Sequence, residues 1–374
     1  MNKEKILKIV KNGAAVVVLV SMFIIIFYQN RDRDIFKFGN NESNKVISST
    51  TDSAMGYLGG DIKKVGDNVV YITTTSLNIL DENANVTSIE IALSEPVLHS
   101  EEEYFVCYNK ASHGAEVYKK GNILYAIETD NKIITAKVNK NGYLFVATEK
   151  EGYNCECRVY NRSGEAIFKW DVSKGEFIDG DLNCSNSKIA LSLATAGEEK
   201  LVGEVVLIDI TNANVVNKEA FESQIFYTLD FNHNDTFNVV GNDCVSYFNA
   251  DGTQKWAYSF EGKTLLKADV SNPDIMTVAL ADPGIGIGVN HTDVKVINRL
   301  GAVVAEKSYE DAIQDISVSK SGVALAFGKK AIITDSFLKE KKTLESEFII
   351  NKLALYNDNK HLFVLGGTGG EILK

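Results

Sequence analysis

The sequence predicts an all-β chain, a β-propeller of eight four-stranded blades with seven as the alternative count, preceded by one N-terminal transmembrane helix. Three observations predict it. A phrase made of an apolar residue, four or five turn formers and an apolar strand returns along the chain. A second hairpin phrase, with Asn and often Gly at its turn, stands between the copies. One long uncharged apolar stretch lies near the start.

That stretch, "GAAVVVLVSMFIIIFY", covers 13–28 without a charge. As a helix it is about 24 Å long, against a hydrocarbon core of about 30 Å. Ile6, Leu7, Ile9 and Val10 extend it upstream, where Lys8 and Lys11 can snorkel toward the headgroups. Lys3, Lys5, Lys8 and Lys11 put the positive bias before the helix, which expects a cytoplasmic N-terminus and everything else outside. The exit "FYQNRDRD" has no small-residue cleavage site, so a retained anchor is expected rather than a cleaved signal. The expected organisation is a cytoplasmic 1–12, an anchor at 13–28, a polar flexible linker at 29–52 and a propeller at 53–374.

Within the body the first phrase is clearest as "VNKNGYLFVAT" from Val138, "LNCSNSKIALSL" from Leu182 and "FNHNDTFNVVG" from Phe231. It continues with "VSNPDIMTVAL" from Val270, "VSKSGVALAFG" from Val318 and "LYNDNKHLFVLG" from Leu355. Weaker copies begin at Ile62 and Val97. Between them stand hairpins such as "VSYFNADGTQKWAYSF" and "VKVINRLGAVVAEKSY". Alternation of period two, broken by Asn, Asp and Gly, is strand-and-turn chemistry. Two hairpins per unit, repeating at about 40–45 residues, describe a propeller blade. One such sheet cannot bury both faces by itself, and a closed ring of sheets can. After Leu355 too few residues remain for four strands, so the last blade is expected to borrow one from "SAMGYLGG", Ser53 to Gly60.

"NADGTQKWAYSF", with Asp251, Gly252 and Trp256, resembles the outer-strand motif of quinoprotein-type (PQQ-like) propeller repeats. "NRSGEAIFKWDV", with Ser163, Gly164 and Trp170, matches it more loosely. Hairpins such as "VSKSGVALAFG" resemble the blade start of WD40/YVTN-type repeats. The layout of anchor and propeller is similar to membrane-anchored propeller proteins of Gram-positive anaerobes. It is also similar in architecture to the periplasmic outer-membrane-assembly propeller lipoprotein, without a lipid-attachment Cys. The resemblance implies that Trp170 and Trp256 dock one blade on the next; it carries over no catalytic residue.

Composition narrows the function. The net charge is −11, made of +4 over 1–38 and −15 over the rest, and such an acidic body repels nucleic acid. The five cysteines, Cys107, Cys155, Cys157, Cys184 and Cys244, form no disulfide framework. Cys155 and Cys157 share one face of a strand and are expected to be buried apolar groups. No adjacent Cys pair is present and both tryptophans lie in outer strands, so no quinone cofactor is expected, nor any other. The five histidines are scattered, with no zinc-ligand spacing, and no G-x-S-x-G elbow occurs. "GDLNCSNS", with Asp179, Asp181 and Asn183, begins like a calcium loop but lacks its Gly and closing Glu, and reads as a turn between strands. Glu101, Glu102 and Glu103 read as a solvated acidic tip. Gly284, Gly286 and Gly288, in "ADPGIGIGVN", are expected in a rim loop able to contact a partner. The functional expectation is a membrane-anchored, extracytoplasmic protein- or ligand-binding scaffold module, with a protein partner at the membrane or cell surface. The alternative is a propeller enzyme, glycan-active or cofactor-dependent, with carboxylates converging on the axis.

Overall fold

The computed structural model describes residues 60–81, 83, 85–283, 291–367 and 369–374. The expected anchor, the linker, all of Ser53–Gly60 except Gly60, and Gly284, Gly286 and Gly288 lie outside the described residues.

Each pair of hairpin phrases folds into one antiparallel meander, and eight such sheets follow one another along the chain. The blades cover 61–90, 96–128, 133–172, 176–222, 226–259, 264–309, 315–345 and 350–373. The weak copies at Ile62 and Val97 are thus separate blades, and eight is the count. The last blade has three strands among the described residues: Ile350–Leu355, Leu362–Gly366 and Gly369–Leu373.

Position within the blade explains the sequence of each strand. Second strands such as Leu144–Thr148, Phe237–Gly241 and Gly322–Phe327 are buried along their whole length, because neighbouring blades cover both faces. Fourth strands such as Gln254–Ser259 are covered on one face and alternate accordingly. In blades 2 to 7 the pairing of third and fourth strands slips by one residue, which adds twist at the rim.

The core is divided into clusters, each made by two consecutive blades. Phe226, Phe237 and Phe248 of blade 5, for example, pack on Val205 and Leu207 of blade 4. A fully buried side chain of that size contributes about 2–3 kcal/mol. The same packing closes the ring. Ala354, Tyr356, Phe363 and Leu365 of blade 8 share a cluster with Ile62, Val69, Tyr71 and Leu80 of blade 1. The Tyr71 and Phe363 rings stack at 5.2 Å, and Lys352 Nζ lies 2.9 Å from Asp61 Oδ1.

Turns key neighbouring blades together. Gly301 sits at φ +83°, where a Cβ would come 2.8 Å from the Trp256 ring of the preceding blade. Trp256 Nε1 donates to Arg299 O in that same turn at 3.0 Å. Trp170 packs against the cluster shared by blades 3 and 4. All five cysteines are free and buried; Cys155 and Cys157 lie in that cluster with Sγ atoms 3.8 Å apart.

Candidate functional site

The first strand of every blade leaves one edge toward the axis, where backbone N–H groups have no ladder partner. Side chains of the preceding blade supply the acceptors. Leu98 N donates to Asp61 Oδ2 at 3.3 Å, and Val138 N to His99 Nδ1 at 3.2 Å. Leu229 N and Phe231 N donate to Asp179 Oδ2 and Asp181 Oδ2 at 2.9 and 3.0 Å. Val318 N donates to Asp269 Oδ2 at 2.7 Å, and Leu353 N to Asp315 Oδ2 at 3.0 Å. The result is a belt of charged and polar side chains that stitches blade to blade around the axis.

The belt is lopsided. Lys137 of blade 3 is followed by Asp181, Asp230 and Asp269 of blades 4, 5 and 6, each one residue before the hairpin phrase. Lys137 Nζ bonds Asp179 Oδ2 at 2.6 Å and Leu229 O at 2.8 Å, and both side chains are largely buried. Burial alone would lower the pKa of Lys137, but Asp179, Asp181 and Asp230 hold it above its ordinary value. Burial raises Asp181 to about 7, against the opposing pull of Lys137 and two backbone N–H groups. Burial also raises Asp230 well above the usual carboxylate range, and the neighbouring Asp181 and Glu101 push the same way. Burial and Lys137 keep His99 neutral, consistent with its Nδ1 accepting a bond. On the other side of the ring Asp61 is held below its ordinary value: burial opposes this, and Lys352 and Lys63 outweigh it.

One mouth of the axis is bridged. His233, on the first turn of blade 5, places Nε2 2.9 Å from Glu101 Oε1 and 3.3 Å from Glu102 Oε1 of blade 2. Lys140 Nζ of blade 3 donates to His233 O at 3.2 Å. Blades 2 and 5 are not neighbours, so the contact spans the axis. Beneath it is a recess lined by His99, Glu101, Asn139, Asp181, Cys184 and Asp230, with an open volume of about 10 Å³. That is room for about one water molecule. Among the described residues no group of His, Cys, Asp and Glu side chains is disposed to hold a metal ion.

The structure thus redistributes the residues singled out in the sequence. Asp179 and Asp181 do not form a turn between strands. They lie on the innermost strand, Glu176–Leu182, and face the axis; the turn itself begins at Asn183. Glu101 is not a free acidic tip, because it accepts from His233 across the axis. Trp170 and Trp256 lie far from the axis, on fourth strands. Aligning the hairpin phrases would have found part of the belt: the position just before them reads Asp61, Lys137, Asp181, Asp230 and Asp269 in five blades, while His99, Asp179 and Asp315 stand elsewhere in their strands.

Fold and axis together define an eight-bladed propeller whose innermost strands are tied blade to blade by charged and polar side chains. The chain belongs to a family of unknown function, DUF5711, whose model matches residues 37–372. No curated protein sequence matches it. Among solved structures it is similar to the C-terminal WD40 domain of Sif2, with TM-score 0.59 and 13% identity over 82% of this chain and 92% of that one. It is similar to a eukaryotic initiation factor, with TM-score 0.54 and 14% identity over 86% and 89%. It is also similar to BamB from Moraxella catarrhalis, with TM-score 0.51 and 10% identity over 84% and 95%. At these identities the likeness is one of fold.

Proposed function

We propose that the chain is a membrane-anchored scaffold that holds its propeller outside the cell and binds a protein partner through blade turns and rim. One observation carries this reading. The recess beside the axis between blades 2 and 5, where a small substrate would be sought, is closed down by the chain's own side chains to the space of about one water. The turns of the blades, by contrast, project into solvent, and such loops on a rigid frame are where binding residues concentrate. The apolar 13–28 and the lysines before it support the anchor and its orientation.

The test has two arms. Carbonate-washed membranes should retain the full chain and release a variant lacking 13–28, and protease added from outside should reach the propeller. Chemical cross-linking of intact membranes should then return a reproducible protein partner. Full release of the intact chain by carbonate would refute the anchor, and the absence of any reproducible cross-link would refute the scaffold.

A further inference from the structure

The second hairpin of a blade turns on a recurring device. An Asn or Asp carboxamide or carboxylate oxygen accepts from the N–H two residues on. Asp81 takes Asn83 N at 2.9 Å, Asn161 takes Ser163 N at 2.9 Å and Asp209 takes Thr211 N at 2.7 Å. Asn298 takes Leu300 N and Asp335 takes Phe337 N, both at 2.9 Å. The residue two after the acceptor is pinned pointing outward. In blades 1, 3 and 4 it is Asn, Ser or Thr. In the adjacent blades 6 and 7 it is Leu300 and Phe337, which are 70% and 67% exposed. The fold does not require apolar side chains there, since the same turn is made elsewhere with polar ones.

The two turns are neighbours. Leu338, at φ +57°, dips into the cluster between blades 6 and 7, against which Val304 and Ala305 also pack. This fixes Phe337 outward beside the strand that Leu300 and the half-exposed Val303 introduce. Exposed cations lie on the same turns and on the outermost strand that follows: Arg299, Lys339, Lys341 and Lys342. Among the described residues none of these four is in an ion pair, and several nearby acids have other partners. Asp335 caps its own turn, Glu306 pairs with Lys295 at 3.2 Å and Glu340 with Lys307 at 3.9 Å. Lysines on an outermost strand guard against edge-to-edge pairing, which accounts for Lys341 and Lys342. It does not account for Leu300 and Phe337. Apolar side chains rimmed by unmatched cations, on a chain of net charge −11, mark an interaction surface with a defined complement.

We infer that the second-hairpin turns of blades 6 and 7 form a docking surface for an acidic protein segment carrying apolar side chains, with Leu300 and Phe337 as its anchors. This rests on the scaffold reading above and gives it a location and a partner chemistry. A dodecapeptide phage library is selected on the full chain in phosphatidylcholine nanodiscs. Enriched peptides should combine Asp or Glu with Leu, Phe or Ile. A synthetic copy should lose about tenfold or more in affinity to Leu300→Ser with Phe337→Ser, and again to Lys341→Glu with Lys342→Glu. Salt should weaken the charge-dependent part. All four side chains are exposed, so thermal melting should stay at the parent value and confirm a folded chain. Peptides that are basic, or that bind the variants as tightly as the parent, overturn the assignment. So does binding of phosphatidylglycerol vesicles, without any peptide, that is lost with the same substitutions. If cross-linked partners persist undiminished in these variants, the scaffold stands and this surface is not its docking site.

Discussion

Replacing Asp181 by Asn should make the propeller more stable as the pH rises, relative to the parent. The carboxyl of Asp181 is 4% exposed and titrates at about 7, against an ordinary 3.8. Unfolded, it loses its proton above its ordinary value; folded, it keeps it until about neutrality. Between those values the folded state binds the extra proton, so stability falls with rising pH by about 1.4 kcal/mol per unit. From about pH 5 to pH 7 the parent loses about 2 kcal/mol through this one group, the slope falling off as the folded carboxyl itself ionises. Asn has no such titration. It does lose an acceptor: Asp181 Oδ1 takes Leu182 N at 2.8 Å while Oδ2 takes Phe231 N, and one of these will face an amide NH₂. That cost, about 1–3 kcal/mol, does not depend on pH. Removing the Asp181 charge also eases ionisation of Asp230, which acts in the same direction. Urea unfolding of the full chain, followed by the fluorescence of Trp170 and Trp256, measures the difference at each pH. The variant should gain about 2 kcal/mol on the parent across this interval. A constant offset would refute the reasoning, because it would mean that Asp181 is ionised in the folded chain throughout and that its recess is wetter than its burial implies.

Lys137→Met should strand the buried Asp179 and cost about 3–5 kcal/mol in the same urea assay, with Asp179→Asn added to it recovering part of the loss. His233→Gln probes the bridge over the axis. Its bond to Glu101 raises His233 above 6.5, so the imidazolium form adds stability that is complete below that value and disappears as pH rises through the raised one. The variant should therefore be less stable than the parent by under about 1 kcal/mol in mild acid and match it in alkali, since the pair is partly solvated; a deficit that grows with pH would contradict the bridge. Gly301→Ala should cost at least about 1 kcal/mol, from a left-handed backbone and a Cβ pressed on Trp256, and should shift the tryptophan emission. A melting temperature and emission unchanged from the parent would show that the Gly301–Trp256 contact does not key the blades.

Much of the fold is local and therefore legible. Phe237 to Gly241 reads as a buried strand, and Asn249 to Thr253 as its companion turn, before any tertiary contact is known, because alternation and turn chemistry act over a few residues. The same holds for Asn298 and the turn it pins. The axial belt is different. Asp181 reads like the start of a calcium loop, and Glu101 like a solvated tip, because their partners are Phe231 N and His233, brought together by closure of the ring.

By itself the sequence determined a ring of four-stranded sheets, eight or seven in number, their turns and the apolar faces that must meet, since each depends on residues close along the chain. Tertiary structure alone decided which charges share the axis, that blade 2 touches blade 5, and that the turns of adjacent blades 6 and 7 leave Leu300 and Phe337 exposed. The physical reason is that electrostatics and burial depend on distance in space, and only the closed wheel brings blades 2 and 5 within a hydrogen bond of each other.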